Sequence, residues 1–331
     1  MAKPKLDLNP RRRDVVLITG VHGFLGQHCV RFFLDETKCD LVLTARQEET
    51  LYADVKEEPR VLGYHPMDVT NRVQVKDVIQ SVRPDVIVNC AALMNVDKAE
   101  KEREPSWKTN VSAIEYLAEA SRKVDSRIIQ ISTDYVFDGT KAPYSETDAP
   151  HPVNYYGRTK LASENALRTS GIEHCIIRTG LLYGASERVD SNFALKVILS
   201  LQEGEEFKAA TDLYGSPTLV DDVALAVVRA SEKAKTGLYH VCGPEMLSRY
   251  EFAFKIAKTF GLDTKLVVPV KHADVQSPTG QRVQRPMKSA FVTLKAQTDL
   301  QLRLSNVDEG LQVMARGIQE LHNPDKTFIY Q

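Results

Sequence analysis

The chain has 331 residues, 43% hydrophobic and 26% charged, and its 43 basic and 44 acidic residues give a formal net charge of -1. That balance is ordinary for a soluble globular protein and excludes the strong basic field of a nucleic-acid or anionic-membrane binder. No apolar run reaches the ~18 residues of a membrane span, and the opening MAKPKLDLNP has no apolar signal core, so a cytoplasmic protein is expected. The five cysteines (Cys29, Cys39, Cys90, Cys175 and Cys242) are scattered and never form a C-x-x-C pair. They read as reduced packing residues, and no metal site is expected.

Residues before Asp14 are expected to be a disordered lead-in. Val15 to Thr19 is a β-branched apolar strand, and Gly20-Val21-His22-Gly23-Phe24-Leu25-Gly26 follows at once, opening an amphipathic helix over Phe24 to Leu34. Strand, glycine loop and helix in that order are what a dinucleotide fingerprint requires. Gly20 allows the tight turn, Gly23 lets a pyrophosphate approach the backbone, and Gly26 lets the helix lie close on the sheet. The anion then sits at the helix N-terminus, where amides and macrodipole favour it. His22, Phe24 and Leu25 belong to the same cofactor-binding loop.

The next strand, Leu41 to Thr44, ends in Thr44-Ala45-Arg46. NAD sites place an acid here for the ribose hydroxyls, whereas an Arg accommodates the 2′-phosphate of NADP. Arg46 therefore favours NADP(H) over NAD(H), with a solvated loop charge as the alternative. Val61 to Tyr64 is a third strand, followed by Met67-Asp68-Val69-Thr70. Val73 to Val82 is a helix that Arg83-Pro84 ends, since Pro cannot continue it. Val86 to Asn89 is a fourth strand running into Cys90-Ala91-Ala92, whose small side chains let backbone pass close to a cofactor ribose or simply pack well. Pro105 to Lys123, with Asn110, reads as one long helix.

Ile128 to Ile131 is a buried strand that ends in Ser132 and Thr133. After a polar loop, a helix carries Tyr156 and Lys160 four residues apart, on one face. A free phenol has a pKa of about 10, and a neighbouring ammonium lowers it toward the range useful for proton transfer. Thr133 adds a hydroxyl that can orient a carbonyl oxygen. Together these are the means of protonating a ketone oxygen while hydride arrives at its carbon. Tyr52 and Lys56 have the same spacing and read as an accident on a solvated face; the Ser-Thr strand end and the glycine loop single out Tyr156 and Lys160.

Beyond the strand Cys175 to Thr179 the strict alternation breaks. Asn192 to Leu201 reads as a helix, Gly215 to Thr218 as a turn, Val220 to Ala234 as a helix and Leu238 to Val241 as a strand. Arg249 to Phe260 reads as a helix, Pro269 to Pro286 as a loop and Val307 to His322 as a closing helix. The expected fold is α/β, a Rossmann-type doubly wound parallel sheet with a smaller C-terminal α/β substrate lobe. Residues 14–180 and roughly 218–243 form the dinucleotide-binding domain, and residues 181–217 and 244–331 the substrate lobe. Ligands of such sheets sit beyond the carboxyl ends of the strands, so Thr133, the glycine loop and Ala91 should converge.

These residues resemble the extended short-chain dehydrogenase/reductase family, and more narrowly its dTDP-4-dehydrorhamnose reductase branch, over nearly the whole chain. The likeness rests on TGVHGFLG (Thr19 to Gly26), MDVTN around Asp68, RPDVIVNCAA (Arg83 to Ala92) and VDKAE (Val96 to Glu100). Its most specific parts are ISTDYVFDG (Ile131 to Gly139) and YGRTKLASE (Tyr156 to Glu164); GSPT (Gly215 to Thr218) and RPMKSA (Arg285 to Ala290) extend it. The resemblance implies Tyr156 as general acid, Lys160 holding the nicotinamide ribose and tuning the tyrosine, and Thr133 binding the substrate carbonyl. It implies Asp68, with Val69, at the adenine, Ala91 and Ala92 along the cofactor, and Asn110 supporting the lysine. Arg285 would face the sugar nucleotide, with Asn95 and Asn192 as further substrate-binding residues. The implied activity is NADPH-dependent reduction of a 4-keto deoxysugar nucleotide, and the implied partner is that substrate; a homodimer stays open.

Two departures lie in the substrate lobe. The branch's T-S-W-V-Y-G run is Thr179-Gly180-Leu181-Leu182-Tyr183-Gly184 here, and its D-Q before the GSPT turn is Asp212-Leu213. The L-Y-G form and the Asp-Gly-Thr loop are also similar to the regulatory beta subunit of methionine adenosyltransferase, which shares the cofactor site and works by binding a partner. A sugar-nucleotide epimerase or dehydratase is a third reading; dehydratases carry an acid after Thr-Asp, where this chain has Tyr135.

Overall fold

Seven apolar runs, each too short for a stable helix, pair side by side as one parallel sheet. The computed structural model describes residues 13–48, 57–186, 192–275 and 283–321. Residues 1–12 of the lead-in, the Tyr52/Lys56 pair and His322 lie outside the described residues. β1 (Val15–Thr19) leads into α1 (Phe24–Glu36), β2 (Asp40–Ala45), β3 (Val61–Pro66), α2 (Arg72–Val82) and β4 (Val86–Asn89). Next come α3 (Val96–Lys101), α4 (Arg103–Trp107), a π-helical turn at Lys108–Ser112 and α5 (Ala113–Val124), then β5 (Arg127–Thr133), α6 (Tyr155–Thr169) and β6 (His174–Thr179). The chain goes on through β7 (Leu182–Tyr183), α7 (Phe193–Gln202), β8 (Phe207–Ala210), β9 (Tyr214–Gly215), β10 (Thr218–Leu219), α8 (Val220–Glu232) and β11 (Gly237–His240). It closes with β12 (Leu247–Ser248), α9 (Arg249–Thr259), β13 (Val267–Val270), β14 (Lys288–Ser289), α10 (Leu294–Leu300) and α11 (Val307–Leu321).

The main sheet runs β11-β6-β5-β4-β1-β2-β3, with every neighbouring pair parallel. This is the Rossmann-type α/β fold. The strand order reverses between β1 and β4, and ligands of such sheets settle in the crevice that this leaves. Every residue of β1 and β4 is buried, as expected for parallel strands covered on both faces. The period of two then sorts their side chains. Val16, Ile18, Leu43 and Val88 join α1 and α8 in one core, whereas Leu17, Val42 and Ile87 join α2 and α5 in the other. Burying a side chain such as Leu17 contributes about 1.5–3 kcal/mol. A third core gathers Val197, Phe252, Ile256, Val267 and Leu311 from α7, α9, β13 and α11.

Three expectations need correction. The helix read as one piece over Pro105 to Lys123 is interrupted by the π turn at Lys108–Ser112, which brings the Asn110 side chain into the interior. Gly215 to Thr218, read as a turn, instead supplies β9 and β10, which pair with β12 and β14 and with β7. The stretch read as a loop from Pro269 opens inside β13, which pairs in parallel with β8.

Candidate active site

A cavity of about 1030 Å³ opens at the carboxyl ends of the strands. Gly20, Ala91 and Thr133 line it together, as their places at strand ends require. Its size is at the upper end for a small-molecule site, roughly 300–1,000 Å³, so it suits a long ligand or two ligands end to end.

One end is the glycine loop. Gly20 has φ 64, a left-handed conformation that glycine adopts without a Cβ penalty. A Cβ there would lie 2.8 Å from the Ala91 nitrogen. Gly26 does not line the cavity; a Cβ on it would come 2.3 Å from the Gly20 oxygen, so it lets the loop fold over the first helical turn. α1 starts after Gly23 with no side-chain cap and no acid in its first turn. Its first amides and the positive end of its dipole thus suit an anion, and a dinucleotide diphosphate fits the residues present.

His22, Phe24, Leu25, Arg46, Asp68, Val69 and Ala92 also line the cavity. His22 Nδ1 lies 3.1 Å from Gln47 Oε1, and the ring stacks on Tyr64 at 5.6 Å. Arg46 stands exposed just past β2. Asp68 Oδ1 accepts from the Thr70 nitrogen and hydroxyl at 2.9 and 2.8 Å.

The other wall carries the hydroxyl pair and the lysine. α6 begins where Asn154 Oδ1 accepts from the Gly157 nitrogen at 2.9 Å, and this cap orients the helix so that Tyr156 and Lys160 both face the cavity. Thr133, the last residue of β5, lines the cavity with Tyr156, donates to Asp134 Oδ1 at 3.0 Å and accepts from the Tyr135 nitrogen at 3.2 Å. Lys160 Nζ donates to the Ile131 oxygen at 2.6 Å.

The Tyr-Lys spacing led us to expect a phenol lowered by the ammonium. Burial instead raises Tyr156 above its ordinary value and brings Lys160 down to about 8. Desolvation outweighs the pairing here because both groups are taken out of water.

Asn95, Asn110 and Arg285 stand outside the cavity lining. Asn95 caps α3, accepting from the Lys98 nitrogen at 2.8 Å, and does not line the cavity. Asn110 binds both polar main-chain groups of Leu93 at 2.8 and 3.1 Å and the Thr159 hydroxyl at 2.9 Å. It thus braces the loop after β4 against the residue before Lys160, and does not line the cavity itself. Arg285 lies outside the lining and pairs with Asp97 at 2.9 Å. Asn192 does line the cavity; it caps α7 and donates to the Gly184 oxygen at 3.1 Å. Leu181, which stands where the branch has Trp, lines the same space, as do Asp134, Phe193 and Arg249, to which sequence reasoning assigned no role. The unbroken Thr133-Asp134-Tyr135 run carried a signal for Asp134; Arg249 had none.

The RmlD substrate binding domain family model matches residues 14–320. The chain belongs to this family. Its RmlD-type relatives include the dTDP-4-dehydrorhamnose reductase of Aggregatibacter actinomycetemcomitans, 30% identical over 305 residues, spanning 90% of this chain and 97% of that protein. The methionine adenosyltransferase 2 subunit beta of Danio rerio is 34% identical over 290 residues, 85% of this chain and 82% of that protein. Among solved structures, the dTDP-4-dehydrorhamnose reductase of Bacillus anthracis in complex with NADP superposes with a TM-score of 0.79 at 30% identity, covering 92% of this chain and 99% of that one. The RmlD match takes in both the glycine loop and Arg285.

Proposed function

We propose that this chain is an NADPH-dependent reductase of a 4-keto deoxysugar nucleotide, a short-chain-type oxidoreductase working as the dTDP-4-dehydrorhamnose reductases do. The observation that carries the reading is the Thr133–Tyr156 hydroxyl pair beside Lys160, in one cavity with an uncapped, acid-free helix N-terminus. Gly20, Gly23 and the first turn of α1 would hold the dinucleotide diphosphate, Arg46 would meet the 2′-phosphate, and Asp68 and Val69 would hold the adenine. The bound dinucleotide supplies the hydride.

Thr133 and Tyr156 hold the carbonyl oxygen of the sugar between their hydroxyls. Tyr156, kept fully protonated at neutral pH by burial, gives its proton to that oxygen as negative charge develops there, because an alkoxide is far more basic than a phenolate. Lys160, fixed by the Ile131 oxygen, stands on the same helix face and offsets the charge left on Tyr156. Asp134 accepts from Thr133, which fixes the Thr133 hydroxyl before substrate enters.

A second reading, a cofactor-holding regulatory subunit, is favoured by the likeness to the methionine adenosyltransferase subunit and by Leu181 at the cavity wall where the reductase pattern has Trp. The two are separated by offering the purified chain NADPH and a panel of 4-keto sugar nucleotides while following loss of reduced cofactor. Turnover supports the reductase. NADPH binding with no turnover on any member, together with co-purification of a methionine adenosyltransferase catalytic subunit, overturns it.

A further inference from the structure

Two of the five cysteines meet beside the glycine loop. Cys29, on the second turn of α1, is fully buried in the core that α1 shares with β1 and α8. Cys90, the residue after β4, is half-buried, packs against that core and lines the cavity. Its Sγ donates to Cys29 Sγ at 3.9 Å, and both thiols are free. Cys39, Cys175 and Cys242 do not line the cavity.

A disulfide bond is about 2.05 Å long, so the two sulfurs must close by roughly 2 Å to form one. Cys29 is anchored in the core, so the Cys90-Ala91 stretch takes up the shift. That stretch lies hard against the glycine loop: a Cβ on Gly20 would come 2.8 Å from the Ala91 nitrogen and 3.1 Å from the Cys90 carbonyl carbon. The Ala91 nitrogen also donates to Thr19 Oγ1 at 3.3 Å, and Thr19 in turn donates to Asn89 Oδ1 at 2.6 Å. Drawing Cys90 toward α1 therefore disturbs the turn at Gly20 and the amides that follow it.

We propose that Cys29 and Cys90 are a modification site, a dithiol that a hydroperoxide oxidises to a disulfide, and that the disulfide weakens dinucleotide binding at the glycine loop. The inference rests on the cofactor reading of that loop. Contact with Cys90 and burial hold the Cys29 thiol well above its ordinary pKa, so Cys90, open to the cavity, reacts first. Its sulfur loses a proton and attacks one peroxide oxygen. The O–O bond breaks, the other oxygen leaves as water with that proton, and Cys90 becomes a sulfenic acid. The Cys29 sulfur then attacks the Cys90 sulfur, and the hydroxide expelled takes the Cys29 proton as a second water. Two thiols are oxidised and one peroxide is reduced. A dinucleotide lying along Cys90, Ala91 and Ala92 covers the first sulfur, so it slows the oxidation that would expel it.

The test treats the full chain with hydrogen peroxide, blocks the remaining thiols by alkylation and maps the digested peptides by mass spectrometry. The wild type should yield a peptide linked through Cys29 and Cys90 that dithiothreitol separates, and saturating NADP+ should slow its formation. Fluorescence titration should show NADP+ binding to the oxidised wild type about tenfold more weakly than to the reduced, the worth of one hydrogen bond to a charged group. Cys29→Ala, which leaves the cavity lining intact, should form no linked peptide and keep most of its NADP+ affinity after peroxide. The wild-type peptide map stands by itself should that variant fail to fold. Absence of the linked peptide overturns the proposal, as does linkage that leaves NADP+ affinity unchanged or proceeds at the same rate with NADP+ bound. An equal loss of affinity in Cys29→Ala also overturns it, since oxidation of Cys90 alone would then suffice. Keto-sugar turnover without linkage removes the dithiol and leaves the reductase reading standing. Linkage that weakens NADP+ binding, with no turnover on any keto sugar, does the reverse.

Discussion

Arg178 and Glu164 meet as a buried two-pronged pair, Nε to Oε1 at 2.8 Å and Nη2 to Oε2 at 2.7 Å, with side chains 1% and 0% exposed. The pair joins β6 to α6. Ser132, the neighbour of Thr133, donates to the same carboxylate at 2.5 Å. One carboxylate, a turn beyond Lys160, thus sets the strand that carries Thr133 against the helix that carries Tyr156. Removing one partner of such a pair leaves an uncompensated buried charge, at a cost of about 3–5 kcal/mol. Glu164→Gln keeps part of the hydrogen bonding, so urea unfolding should show a loss of about 3 kcal/mol. A loss of less than about 1 kcal/mol would mean the pair adds little beyond a surface ion pair.

Stability should also fall in mild acid, through His240. Its Nε2 lies 3.3 Å from Arg178 Nη1 and its Nδ1 3.1 Å from the Tyr144 oxygen, an arrangement that fits the neutral ring with its proton on Nδ1. Burial and the Arg178 charge pull its pKa down to about 3, against about 6.5 when free. The unfolded chain therefore binds more protons between those values, so this contribution is full above about pH 6.5 and is lost as pH falls toward 3. Urea midpoints across that range should drop for the wild type and drop less steeply for His240→Gln. Equal slopes contradict the assignment.

The cofactor half was legible because its requirements are local. A glycine loop between strand and helix, an Arg after β2 and a Pro ending α2 each state their geometry within a few residues. The central strands were legible because burial on both faces leaves unbroken apolar runs. The capping role of Asn95 was legible in Asn before V-D-K-A-E, an N-cap pattern, but the family likeness outweighed that local reading. The π turn around Asn110 escaped because one extra residue in a helix hardly disturbs its apolar period. Arg285 and Arg249 were illegible for another reason. Their surroundings, Asp97 for Arg285 and Phe193 and Gly215 for Arg249, are brought to them only by the folded chain. Tyr156 was mis-weighed because spacing reports a neighbouring charge and says nothing of desolvation.

Tyr156→Phe keeps the ring and its edge contact with Tyr135 at 6.0 Å while removing the proton donor. Turnover should fall about 100- to 10,000-fold, with NADPH affinity unchanged because the glycine loop is untouched. Stopped-flow reduction and fluorescence titration measure the two separately. A variant that retains wild-type turnover sinks the assignment of the acid.

Arg46 stands where β2 ends, on the cavity lining. If it meets the 2′-phosphate, the wild type should bind NADPH more tightly than NADH, and Arg46→Ala should narrow the gap by roughly tenfold, the worth of one charge-assisted contact. Titration of both cofactors against both proteins checks this. A wild-type preference for NADH contradicts it.

The central claim is that this cavity delivers hydride to the keto carbon of a sugar nucleotide, and isotope transfer tests it most directly. NADPH carrying deuterium on the reactive carbon of its nicotinamide is incubated with the chain and each 4-keto sugar nucleotide, and the product is read by mass spectrometry and NMR. The account predicts one deuterium on the former carbonyl carbon of at least one sugar, formed far more slowly by Tyr156→Phe. Bound NADPH with no deuterium in any sugar of the panel would contradict it.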